Sequence, residues 1–82
     1  MVSAAQLEEA QRAIVRSEGY CELGMYEHAE QELQSVPLAL RGTLNYLSAI
    51  FVVYIRMDRI QEATNVGRRI LEEWPAEGME RA

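Results

Sequence analysis

The amino-acid sequence predicts an all-α protein: four helices arranged as two antiparallel helix–turn–helix units. Three observations carry this expectation. Apolar residues recur at spacings of three and four along most of the chain, which is the period of one helical face. Residues that break or cap helices (Gly24, Pro37, Gly42, Asp58 and Pro75) fall between those segments. Several positions also match at a separation of 34 residues, so the second half restates the first.

The first helix is placed over residues 3–22, where Leu7, Ala10, Ala13, Ile14, the small Ser17, Tyr20 and Cys21 share one face. Ser3 followed by Gln6 has the form of a capping box, and Gly24 just past Leu23 suits a left-handed C-cap. The second helix starts at Tyr26 and turns Ala29, Leu33 and Val36 to one side, with Glu27, Glu30, Gln31, Glu32 and Gln34 on the other, until Pro37 removes a backbone donor. A helix this short is marginal alone in water and has to be held by packing on its neighbour across the Gly24–Met25 turn.

Leu44–Ile55 is apolar nearly all round and rich in β-branched residues, so propensity alone would also suit a buried strand. Length decides for a helix over Gly42–Met57, because a strand typically has about five or six residues and nothing else in the chain could pair with it. It is expected to be the central helix, covered on several sides. The fourth segment puts Ile60, Ala63, Val66, Gly67, Ile70, Leu71 and Trp74 on one face, with Arg59, Glu62, Asn65, Arg68, Arg69, Glu72 and Glu73 mainly opposite. Asp58 is its expected N-cap and Pro75 its stop, leaving residues 76–82 as a frayed tail.

The 82 residues make a single domain, residues 1–82, with room for one core and a stability near the bottom of the usual range of about 5–15 kcal/mol. An apolar fraction of 49% with 26% charged residues describes a chain that folds. The formal net charge of −5 opposes binding to a phosphate backbone, so no nucleic-acid partner is expected and a regulatory DNA-associated helical domain is only a remote third reading. All eight basic residues are Arg, and the close pair Arg68 and Arg69 lies among acids, so there is no basic patch. Cys21 is the only cysteine, which fits a reducing compartment. The start has neither a basic stretch nor an apolar core of a secretory leader, and the longest apolar run, Ala49–Ile55, is far below the ~18–20 residues of a membrane span. The expectation is a cytoplasmic protein with no membrane partner.

Catalytic chemistry is not expected. His28 is the one histidine, and with Glu32 a turn away it makes two possible ligands where a metal site needs more. Gly19, Gly24, Gly42 and Gly67 stand singly, so there is no phosphate-cradling loop. No motif gives Cys21 a His or Asn partner, and the adjacent acids Glu8–Glu9 and Glu72–Glu73 read as solubilising charge. The chain is therefore read as not an enzyme, with no cofactor and no metal.

The pairs at 34-residue separation are Tyr20 and Tyr54, Gly24 and Asp58, and Ala29 and Ala63. Tyr20-Cys-Glu-Leu-Gly-Met-Tyr-Glu-His-Ala29 and Tyr54-Ile-Arg-Met-Asp-Arg-Ile-Gln-Glu-Ala63, the latter leading to Trp74-Pro75, resemble the tetratricopeptide repeat family over about residues 10–75. They supply its aromatic on the first helix of each repeat, its turn, its packing side chain (Tyr26, Ile60), its small Ala on the second helix and its closing proline. The first repeat would span about 10–41 and the second about 44–75. The sequence departs from the pattern at Pro37, which comes early, at Gly67, where a large residue is usual, and at Phe51, where a small one is.

The resemblance implies an α–α superhelix whose concave face is lined by the first helix of each repeat. Carried over position by position, that face is Gln11, Ile14, Glu18 and Cys21, then Asn45, Ser48, Val52 and Ile55. It would take a partner's amphipathic helix or apolar segment, with Ile14, Val52 and Ile55 excluding water and Asn45 fixing register. The carboxylate clamp of some members is missing, since Ile14, Glu18 and Ala49 stand where its residues would be and the chain has no Lys. The function implied is a protein-interaction module, an adaptor or small chaperone. The alternative is a structural homo-oligomer that buries the apolar face against its own copies, because two repeats leave a face open. A homodimer or a hetero-complex is expected in either case.

Overall fold

In the computed structural model, which describes residues 2–74, the chain folds as four α-helices: α1 (Ala4–Glu22), α2 (Tyr26–Gln34), α3 (Leu44–Arg56) and α4 (Ile60–Glu73). A 3-10 turn at Leu38–Leu40 joins α2 to α3, and there is no strand among the described residues. The expected stop at Pro75 and tail at 76–82 lie outside the described residues.

Local chemistry sets the boundaries. At α1, the Ser3 hydroxyl accepts from the Gln6 N–H at 3.2 Å while the Gln6 side chain accepts from the Ser3 N–H at 2.9 Å, closing the capping box. Gly24 adopts φ 76°, and the Met25 N–H donates back to the Tyr20 carbonyl at 2.8 Å, which reverses the chain within three residues. At the far end of α2, Arg41 reaches back and donates to the carbonyls of Gln34 (2.6 Å) and Val36 (2.9 Å), pairing acceptors that the helix end leaves free. Thr43 caps α3, its hydroxyl accepting from the Tyr46 N–H at 3.3 Å.

The turn into α4 corrects the expectation for Asp58. Asp58 is not the N-cap; it has φ 60° and closes α3 as Gly24 closes α1, and the residue flanking α4 is Arg59, which makes no side-chain cap bond. The reason is steric. The tight reversal needs one left-handed residue, and Asp tolerates that conformation better than most. The bonds of the two turns correspond at the 34-residue offset. Met25 N–H to Tyr20 O at 2.8 Å matches Arg59 N–H to Tyr54 O at 2.9 Å, and Gly24 N–H to Cys21 O at 3.0 Å matches Asp58 N–H to Ile55 O at 3.1 Å.

Each hairpin, α1–α2 and α3–α4, packs along its length, and α3 touches all three other helices. The core has two clusters. One is Ile14, Ala29, Leu33, Ile50 and Val53, and the other is Ala10, Ala13, Val36 and Leu40, with the half-buried Tyr46 against both. The buried Ala29 and Ala63 let the second helix of each hairpin approach the first closely.

Two expectations about coverage change. Helix α3 is central, but only Leu47, Ile50 and Val53 are buried; Leu44, Val52 and Ile55 remain exposed. Helix α4 buries Ala63 alone, and Val66, Gly67 and Ile70 are half-buried, whereas Ile60 and Leu71 stay 53% and 62% exposed. The apolar face of α4 is wider than the single helix it packs on, so its outer edge is left open. Leu7, at the edge of the α1 face, is also exposed.

Candidate functional site

Between α1 and α3 runs a groove of about 490 Å³. Helix α1 supplies Gln11, Ile14, Ser17, Glu18, Cys21 and Glu22, and α3 supplies Asn45, Ser48, Ala49, Val52 and Arg56. Helical geometry explains the wall on each side, since residues three and four apart share a face. Both walls change character along the chain in the same order: an amide first (Gln11, Asn45), then a small or apolar middle (Ile14, Ser48, Ala49, Val52), then charge (Glu18, Glu22, Arg56).

The structure brings Gln11, Ile14, Glu18, Asn45, Ser48 and Val52 to this one concavity, together with Cys21. Ile55 is the exception: it is exposed and is not part of the groove lining, because the next turn of α3 presents Arg56 there instead. Ser17, Glu22 and Arg56 line the groove without having been singled out as lining from the sequence, and Ala49, named there only as a clamp position, lines it too. The signal for three of them was present, since Glu22, Ala49 and Arg56 each follow a named residue (Glu18, Asn45 and Val52) by one helical turn. Ser17 is buried, with its hydroxyl donating to the Ile14 carbonyl at 2.7 Å, so it forms part of the floor.

The floor is apolar and partly exposed. Ile14 is buried into the core, while Val52 remains 44% exposed and can be covered by an added side chain. Cys21 is a free, half-buried thiol on the α1 wall. Burial pushes its pKa up; Arg56 across the groove acts in the opposite direction and Glu18 in the same one, so all three groups share one end of the groove. Burial disfavours the thiolate, the form in which a cysteine acts as a nucleophile or metal ligand.

Elsewhere several polar side chains pair between helices. Arg59 donates to Glu30 on α2 at 2.6 Å and to Glu62 at 2.7 Å, and its guanidinium lies 4.8 Å from the centre of the Tyr54 ring, so one side chain ties the second hairpin to the first. Arg16 and Glu32 pair at 2.8 Å between α1 and α2. His28 is exposed, with its ring 5.4 Å from that of Tyr20. Among the described residues no group of three or more His, Cys, Asp or Glu side chains is placed to hold a metal ion, and no helix is long and apolar enough to cross a membrane.

A second concavity lies between α3 and α4, lined by Phe51, Thr64, Gly67, Arg68, Ile70 and Leu71. The Phe51 ring sits over Gly67, where an added Cβ would lie 3.2 Å from it.

No family model matches the chain, and neither a curated protein nor a solved structure matches it.

Proposed function

We propose that this chain is a two-repeat tetratricopeptide-type module that binds a segment of another protein in the α1–α3 groove. It acts as a cytoplasmic adaptor or small chaperone with no catalytic activity of its own. The observation that carries the reading is the groove itself: an apolar floor with an exposed Val52, edged by Gln11 and Asn45 at one end and by charged groups at the other. Such a lining excludes water around an inserted side chain and fixes its register through the polar edges.

The repeat assignment is supported by the matching turn bonds and by a reversal of sizes. The positions 34 residues before Phe51 and Gly67 are Ser17 and Leu33, both fully buried. The small residue is on the first helix in one hairpin and on the second helix in the other, so the two departures from the family's pattern compensate each other.

The competing reading, a structural homo-oligomer, draws on the exposed Ile60 and Leu71 of α4 and the half-exposed Trp74. Light scattering on the purified chain over a hundredfold concentration range, with helicity followed in parallel, separates the two. The adaptor reading expects a folded chain whose mass is unchanged both by Val52→Asp in the groove and by Ile60→Asp/Leu71→Asp on α4. A stable dimer that Val52→Asp dissociates would mean that the groove is filled by a second copy, and the adaptor reading would fail.

A further inference from the structure

Helix α1 ends on an arrangement that is unfavourable in the isolated chain. Glu18 and Glu22 are one turn apart on the same face, where like charges repel. They lie in the last turns of α1, where the helix dipole is itself negative, and that end carries no basic residue. Glu30 and Glu62 are paired with Arg59 and Glu32 with Arg16, whereas Glu18 and Glu22, like Glu9, Glu27, Asp58 and Glu72, take part in no ion pair among the described residues; what sets Glu18 and Glu22 apart is that both line the groove. Arg56 stands on the opposite wall and is also without an ion pair, so it offsets one of the two negative charges and leaves the groove end net negative. All of this adjoins the apolar floor of the groove.

We infer that the groove's occupant is a cationic amphipathic peptide segment: an apolar side chain seats on Ile14, Ala49 and Val52, and Lys or Arg side chains beside it lie against Glu18 and Glu22 on the α1 wall. The inference rests on the groove being the binding face and adds the chemistry and orientation of what fills it. Charge complementarity is the argument. A cation there relieves the repulsion between the two carboxylates and meets the negative helix end, and Arg56 on the facing wall directs the segment's basic side toward α1.

The test uses synthetic amphipathic peptides with identical Leu anchors and with Arg, Gln or Glu at the same flanking positions, titrated into the full chain by calorimetry at low and high salt. The Arg peptide should bind about fivefold more tightly than the Gln peptide, the Glu peptide should bind most weakly, and the differences should shrink as salt screens them. In the Glu18→Gln/Glu22→Gln chain, whose folding is checked by its helicity, the Arg preference should vanish; in Arg56→Gln it should grow. Equal binding of Arg and Gln peptides, with Val52→Asp still abolishing both, would overturn this inference and leave the groove as the binding face. An Arg preference that survives Glu18→Gln/Glu22→Gln would overturn it as well. If none of the peptides binds, the groove reading falls and this inference falls with it.

Discussion

Gly24 and Asp58 each supply the one left-handed residue that its hairpin turn requires, at φ 76° and 60°. Glycine adopts that conformation without strain, whereas a residue with a Cβ costs about 1–2 kcal/mol there, somewhat less for Asp. The Asp58 carboxylate accepts no hydrogen bond among the described residues, so it brings no local compensation. Asp58→Gly should therefore stabilise the fold by up to about 1 kcal/mol, and Gly24→Ala should destabilise it by about 1 kcal/mol or more, both read from urea midpoints. A destabilising Asp58→Gly would show that the Asp58 side chain supports the turn in some other way. The sequence held this equivalence in the 34-residue offset between the two positions. It was obscured because Asp is also a good N-cap, and only the backbone angle tells the two roles apart.

At the scale of elements, the contact between α3 and α4 turns on Phe51 lying over Gly67. The large side chain and the missing one answer each other, so changing either alone should cost stability. Phe51→Ala removes a half-buried ring and should cost about 2 kcal/mol, and Gly67→Leu forces a side chain into the ring's space at about 1–2 kcal/mol. The double substitution places a small residue on the first helix and Leu on the second, the sizes found at Ser17 and Leu33 in the first hairpin. It should lie at least about 1 kcal/mol closer to the native chain than the sum of the singles, a coupling that denaturant titration of all four proteins measures. Strict additivity would mean that the two sites do not share a packing unit. From the sequence, both residues looked like departures from a pattern, because complementary sizes on different helices become meaningful only when the helices are seen in contact.

For the whole molecule, the all-α class and the order of four helices were legible because three-and-four spacing and the breakers at Gly24, Pro37 and Gly42 agree on the same segments. Most of the groove was legible too, since residues one turn apart share a face wherever the helix lies. What periodicity cannot give is whether anything covers that face. The apolar stripe of α4 was read correctly as a stripe, yet Ile60 and Leu71 lie on its uncovered side, and Ile55 just misses the groove that Arg56 enters. The tie from Arg59 to Glu30 was likewise hidden, because it joins residues of different hairpins.

The central claim, that a different protein occupies the α1–α3 groove, is tested most directly by placing a photo-reactive amino acid at Ser48, on the groove wall, or at Leu71, on the open edge of α4, and irradiating cells that make the chain. An adduct with another protein is expected from Ser48, lost when Val52 is changed to Asp. Adducts only between copies of the chain, from Ser48 or from Leu71, would contradict it and make the molecule a self-assembling scaffold.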